Sequence, residues 1–425
     1  MIHTSIGFHT FTIFIRINGK EVKELFKDFF NYRDTTNEIK IYVPKGKKNW
    51  TPIIDNDFKT KGKKPKVWRI DYIDDNKKGI TWFLRFNNNS RNYKEYIVEA
   101  RINPKILAGI KDYITAANGS YLKIVEERFN EEVNKISKIL GRFSWYKLKR
   151  IDFCINFDLK EMGYKCTPEE MIKLIKQADY SSRYTEWMKY DKKSHRTKSG
   201  KYSLYLKSGS LNINCYYKYK QMDEDDFDYE DREKALNIIR FEVQCKYRKV
   251  YTMSQIMKQN FEHGSLDLMH QILSDLTSKN IIDQYFNRII GSGDYYTLKR
   301  AIEIIEDQGF SCEKEDRLIE TLKEINEHRG IANTRRELIS HNAVSIFNRS
   351  LKELNALGIN PVTAPTRFGT KPIPNLLRRF YQLQEAGRIS DNSYIDPYEP
   401  LEEPYELSTD QTDVADQLDN GDFTN

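Results

Sequence analysis

Four segments of the chain alternate apolar and polar residues with a period of two, the spacing that puts successive side chains on opposite faces of a β-strand. The cleanest is 148–159, where Ile151, Phe153, Ile155, Phe157 and Leu159 face one way and Arg150, Asp152, Cys154, Asn156 and Asp158 the other. In 237–248, Ile239, Phe241, Val243, Cys245 and Tyr247 alternate with Arg240, Glu242, Gln244, Lys246 and Arg248. In 94–102, Tyr96, Val98, Ala100 and Ile102 oppose Glu99 and Arg101. The stretch 201–222 reads as two strands joined at Ser208-Gly209-Ser210. Its second strand sets Leu211, Ile213, Cys215, Tyr217 and Tyr219 against Asn212, Asn214, Tyr216, Lys218 and Lys220.

Further strands are predicted at 2–16, 38–43, 67–74 and 80–87, with a turn at Asp74-Asp75-Asn76. Helical spacing predicts helices over 19–32, a short one after Asn103-Pro104, 120–140, and one opened by the capping box Thr167-Pro168-Glu169-Glu170. Beyond about 255 the pattern turns helical, over 266–276, 295–307, 313–327 and 340–357. An apolar face opposite a charged face calls for an α+β fold, an antiparallel sheet backed by helices on one side with an open polar side. The order strand–helix–strand–strand–strand over 148–248 suggests a ferredoxin-like or RNA-recognition-like unit, and 2–44 is expected to belong to a second. The expected domains are a sheet domain over 1–255 (an N-terminal region, 1–117, and a core, 118–255), a helical domain over 256–388 and a disordered acidic tail over 389–425.

Charge sharpens this division. The formal balance is +7, from 69 Lys and Arg against 62 Asp and Glu. Eleven of the acids fall in 389–425, which has no Lys or Arg, so residues 1–388 carry 69 bases against 51 acids, a balance of +18. A basic body with 13% aromatic residues suits a polyanion such as nucleic acid, though a lysine-rich solvated surface reads the same way. The basic loop 45–66 is open to two readings, a solvated loop or a phosphate-contacting arm. In the helical region Arg335, Arg336, Lys371, Arg378 and Arg379 lean towards DNA binding rather than packing alone. The tail is expected to solubilise the chain, to compete with DNA for the basic face, or to recruit a basic host factor. No apolar run is long enough for a membrane helix and no signal peptide is expected. Five cysteines without a CxxC pair suit a reducing cytoplasm and argue against zinc.

If Glu99, Asp152, Glu242 and Tyr216 share one polar face, carboxylates could hold Mg²⁺ or Mn²⁺ beside a phosphate. A phenol with a pKa near 10 attacks poorly, and Lys218 and Lys220 on the same strand face would favour its phenolate. The product, a phosphotyrosine diester, keeps the energy of the phosphodiester and allows rejoining without ATP. The plainer reading pairs Asp152 with Arg150, Glu99 with Arg101 and Glu242 with Arg240 as surface ion pairs. The chain contains no P-loop, GxSxG, HExxH or His-x-His motif.

RIDFCINFD (150–158), CYYKYKQ (215–221) and IRFEVQCKYR (239–248), in this order, resemble the filamentous-phage gene II type of rolling-circle replication initiator. YIVEARINPKILAG (96–109), LKEINEHRG (322–330) and SIFNRSLKELNALGI (345–359) are similar to further segments of that family, so the resemblance spans about 90–360. It implies an HUH-type nuclease core that nicks one strand at an origin through a tyrosine and later rejoins it. The family pattern Tyr-x-Lys-x-x-Glu falls on Tyr216 and Lys218, with Gln221 in place of the Glu. The paired metal histidines of the wider superfamily are absent, so a Mg²⁺ or Mn²⁺ ion would rest on Asp152 and Glu242, then Glu99. Arg150, Asn156, Asn214, Lys220, Arg240 and Lys246 are the expected DNA contacts. The implied partners are a single-stranded or hairpin origin and a host helicase and polymerase, in a bacterial cytoplasm with no membrane attachment. The competing readings are a non-catalytic single-strand-binding copy-control protein and a conjugative relaxase.

Overall fold

The computed structural model describes residues 6–42, 67–73, 78–88, 94–180, 183–191, 196–225, 227–260, 268–339, 343–369 and 371–388. The basic loop 45–66, the turn 74–76 and the acidic tail lie outside the described residues.

The alternating segments form strands because each buries its apolar parity and leaves the other polar. Strand β1 (Ile6–Ile17) leads into a helix at Gly19–Thr36, opened by a capping box between Asn18 and Glu21 and ended by Asn37 at φ 55°. Strands β2 (Ile39–Tyr42), β3 (Val67–Tyr72), β4 (Ile80–Asn88) and β5 (Lys94–Ile102) follow. The same plan then repeats. Strand β6 (Lys147–Asp158) leads, by way of the Thr167–Glu170 capping box, to a helix at Pro168–Ile175. After it come β7 (Thr185–Glu186), a separate pair β8 (Met188–Asp191) and β9 (Arg196–Ser199), then β10 (Ser203–Lys207), β11 (Leu211–Tyr217) and β12 (Ile238–Cys245).

All but β8 and β9 join one ten-stranded antiparallel sheet in the order β2-β3-β4-β5-β1-β6-β12-β11-β10-β7. Each half therefore has its first strand at the centre, its last beside it, and the others filling outward in reverse order. The halves meet where β1 pairs antiparallel with β6. The strand and helix at the start of the chain thus belong to an N-terminal half-sheet of five strands.

Helices cover one face. Phe26 and Phe29 of the first helix pack edge-on against Trp68 and Trp82, with ring centroids 5.4 and 6.2 Å apart. A helix at Asp275–Ile289 brings Phe286 to 5.6 Å from Phe157 and 5.2 Å from Phe241. The helical region thus shares the sheet's core across the boundary expected at 255. A smaller core of Ala301, Ile305, Leu318, Leu322, Leu354 and Ile359 holds its outer helices together. No described helix is long and apolar enough to cross a membrane.

Three expectations are corrected. The second strand of the hairpin ends at Tyr217, and Lys218–Glu224 is helical, so Lys218 and Lys220 leave the strand face. The helical turn carries Met222 over Ile238, Ala235 and Ile114, apolar contacts that a continued strand could not make. Likewise β12 ends at Cys245, and Tyr247, expected inward, begins a helix at Tyr247–Asn260 and is exposed. The polar side is also not open throughout: the chain at Ile114–Ala117 crosses one end of it, with Ala117 and Phe8 exchanging backbone hydrogen bonds of 2.8 and 2.9 Å.

That crossing requires glycine at position 7, where an added Cβ would lie 2.0 Å from the Ala117 carbonyl oxygen. Gly7→Ala is expected to lower stability by about 1–3 kcal/mol, the usual cost of overpacking. Thermal melts of the two proteins check this, and coincident melts would show that the crossing segment yields freely.

Candidate active site

Strand pairing fixes which polar residues meet. Tyr216 lies opposite Arg240, which lies opposite Asn156. In the next row Asn214, Glu242 and Cys154 align, and in the row after it Asn212, Gln244, Asp152 and Thr10. Tyr216, Asp152 and Glu242 are thus gathered on one face of the C-terminal half-sheet, as the alternation predicts, and all are buried.

The Tyr216 hydroxyl donates to Glu242 Oε2 at 3.4 Å. Asn214 and Gln244 donate to Glu242 Oε1 at 3.2 and 2.7 Å. Burial raises the Glu242 pKa, and the Asp152 carboxylate raises it further. Asp152 receives a bidentate clasp from Arg150, with both bonds at 2.7 Å, and a 2.6 Å bond from Thr10. Arg240 is fully buried. It donates through Nε to Asn156 Oδ1 at 2.8 Å and through Nη2 to the Ile114 carbonyl, while its buried Nη1 has no acceptor.

Burial pushes the Tyr216 phenol well above its ordinary pKa, Glu242 adds to the rise, and Arg240 opposes it. The expected stabilisation of phenolate by Lys218 and Lys220 is therefore not what the fold provides; Arg240 has that place. Lys218 is buried and donates to Gln221 Oε1 at 2.7 Å. Its pKa is pushed down to about 7, first by burial and then by Arg240. Lys220 lies over the rings of Tyr219 and Tyr202 instead.

Other expected site residues are occupied elsewhere. Glu99 is buried in the N-terminal half-sheet, ion-paired with Arg85 at 2.7 Å and with Lys149. Asn156 and Arg240, expected to contact DNA, are internal and brace the Ile114 segment. Lys246 donates to the Ser208 carbonyl, and Asn214 orients Glu242. In the helical region Arg335 binds Asp179, Arg378 binds Asp294, and Arg379 donates to the Met162 carbonyl, so these arginines tie elements together.

The carboxylates do not fit a divalent cation as arranged. Both Asp152 oxygens are taken by Arg150, Glu99 stands apart, and among the described residues no group of three or more His, Cys, Asp or Glu is placed to hold a metal ion. A residue that the sequence does not single out joins the site: His9, whose pKa falls well below its ordinary value through burial and then through Arg240, Lys218, Arg150 and Lys105. A bulge in β1 between Phe8 and Thr10 shifts the register there, so no regular alternation points to His9.

No family model matches the chain, and no curated protein matches it. Among solved structures, a rolling circle replication initiator protein from Geobacillus stearothermophilus aligns with 67% of this chain and 85% of its own, at 12% identity and a TM-score of 0.29. Alignment at that level assigns neither fold nor chemistry to this chain.

The unfolded chain keeps a lysine protonated to about pH 10, whereas folded Lys218 releases its proton near pH 7. Between these values the unfolded state binds more protons, so this residue's penalty is full below pH 7 and fades as pH rises. Lys218→Met removes that term. Its stability relative to the parent protein is expected to be most favourable below pH 7 and to decline by about pH 9 in denaturant titrations. A pH-independent difference would contradict the assignment.

Proposed function

We propose that the chain nicks and rejoins a DNA strand through Tyr216 to initiate rolling-circle replication. One observation carries the reading: a tyrosine hydroxyl hydrogen-bonded to a carboxylate of raised pKa beside a fully buried guanidinium. The motif resemblance at 150–158, 215–221 and 239–248, whose tyrosine pattern falls on Tyr216, supports the nucleophile. A nucleophile, a proton acceptor and a fixed positive charge are what in-line attack on a phosphodiester requires.

In this reading Glu242 takes the phenol proton as the Tyr216 oxygen bonds to phosphorus, and the bond from phosphorus to the 3′ oxygen breaks. Lys218, with a pKa near neutrality, supplies a proton to the departing 3′ oxygen. The strand's 5′ end stays linked to Tyr216, and reversal by a 3′ hydroxyl closes it. Arg240 balances the charge that builds on the phenol and the phosphate. Only 7% of Tyr216 is exposed and the Tyr205 ring lies 6.2 Å away, so DNA must displace some of this cover to reach it. No step passes through a metal ion, because Asp152 is held by Arg150.

The same burial favours a second reading, a non-catalytic single-strand-binding protein in which Tyr216 and Glu242 are structural. The two readings diverge in a trapping assay with a labelled single-stranded origin oligonucleotide. Nicking predicts a covalent adduct that maps to Tyr216, is lost in Tyr216→Phe, and falls at least about 100-fold in rate in Glu242→Gln. DNA binding should survive in Tyr216→Phe. An adduct formed in full yield by Tyr216→Phe would end the assignment, and no adduct from any variant would favour the binding protein.

A further inference from the structure

The two half-sheets can be superposed strand for strand through their pairing, and their polar faces then differ in a consistent direction. In the C-terminal half Glu242 lies opposite Asn214 and Cys154, and Arg240 lies opposite Tyr216. In the N-terminal half Glu99 lies opposite Phe83 and Phe14, and Ile97 lies opposite Arg85. Glu99 thus matches Glu242, and Arg85 stands where the other half has Tyr216. The ion pair of Arg85 with Glu99 replaces the hydrogen bond of Tyr216 to Glu242. The nucleophile position is filled by a cation, and so is much of the surrounding face.

One row across this half reads Lys147, Phe14, Glu99, Phe83, Arg69 and Tyr42. The neighbouring row reads Arg150, Thr12, Arg101, Thr81 and Asp71. The arginines lie against rings, Arg85 and Arg101 over Phe83, Arg69 over Tyr42, and Arg16 over Phe14, and Arg69 is also ion-paired with Asp71 at 2.8 Å. Packing around its guanidinium, and then the like charge of Arg150, holds the Arg101 pKa below its ordinary value. Such crowding is relieved by an anion.

An exposed aromatic side chain, Tyr42 at 50%, ends the row on one side, and Trp145, 65% exposed, lies two residues before Lys147 at the other. Trp145 is held in place from behind: its ring lies on Gly141, where an added Cβ would come within 2.3 Å of it at a backbone φ of 67°. It borders an open cavity lined by Phe14, Arg16 and Lys147 and also by Ile15, Ile17, Ile139 and Glu21. Six strands at spacings of about 4.8 Å make the row roughly 24 Å long.

We infer that the polar face of the N-terminal half-sheet is a track for single-stranded DNA, with phosphates along its cations, Arg101 among them, and bases stacked on Trp145 and Tyr42. Cations along the face with an exposed ring near either end match a strand that offers a charged backbone and flat bases; a duplex hides the bases and would use the charges alone. The inference rests on the C-terminal half being the half that cleaves DNA, and assigns to its counterpart the holding of the flanking strand.

Binding of fluorescein-labelled dT20 to the full chain, followed by anisotropy across a salt series, tests it. Trp145→Ala and Tyr42→Ala are expected to weaken binding about five-fold or more each, with the salt dependence kept. Arg101→Gln should weaken binding and reduce the slope of log affinity against log salt by about 0.7, one phosphate contact. Affinity for a labelled hairpin duplex should fall less in the two aromatic variants than affinity for dT20. Circular dichroism melts confirm folding, and Trp145 and Tyr42 are exposed enough for their truncation to be tolerated. Unchanged dT20 affinity and slope in all three variants would overturn the track. Adduct formation at saturating origin oligonucleotide is read separately. An adduct alongside unaltered dT20 binding in the variants sinks the track and leaves the nuclease standing, whereas weakened binding with no adduct from the parent chain does the reverse.

Discussion

The pairing of β1 with β6 is the constraint on which the rest depends. It joins two half-sheets through their first strands, so ten strands share one pleat and one sidedness. A register slip of one residue in β6 would turn Ile151, Phe153, Ile155 and Phe157 out of the helix-covered core and bury Arg150 and Asp152 against it. The core makes that slip prohibitive, and in doing so it fixes the polar residues of both halves on one common face. Bulges at Phe8/Thr10 and Thr12/Ile13 absorb the remaining mismatch.

That cluster is held by compensation. Two carboxylates and several cations sit together largely out of water, an arrangement that costs more than a packed apolar core unless each charge has a partner. Arg150 answers Asp152, Asn214 and Gln244 answer Glu242, and Arg240 is met by Asn156 and the Ile114 carbonyl. What compensation leaves over is informative. Tyr216 has a long bond to a carboxylate of raised pKa, and Arg240 keeps one buried nitrogen without an acceptor.

The helical region contributes to this arrangement from behind. Phe286 packs on Phe157 and Phe241, residues adjacent in strand register to Asn156, Arg240 and Glu242. Arg335, Arg378 and Arg379 fasten the helices that carry them to the connections at Asp179, Asp294 and Met162. Helices that a linear reading sets apart as a separate domain therefore help to keep the strands in register.

By itself the sequence determined the strands, because period-two alternation is a local property: 94–102 and 211–217 lie where Tyr96 to Ile102 and Leu211 to Tyr217 alternate. It determined the capping box at Thr167, and the selection of Tyr216, Asp152 and Glu242 as neighbours on a polar face, since parity and antiparallel order suffice for that. It did not determine where alternation stops. Tyr219 and Lys218 fit the strand pattern, yet they lie in a helix because Met222 and its neighbours gain burial at the sheet's end, and Tyr247 lies in the helix that follows β12. Nor could it reveal that Glu99 belongs to the other half, that Arg150 occupies Asp152, or that His9 and the Ile114 carbonyl close the site. Those contacts join residues from 9 to 240 along the chain, and only the pairing of β1 with β6 and the crossing at Ala117 bring them within a few ångströms. Local periodicity decides which way a side chain points; the long-range register decides what it meets.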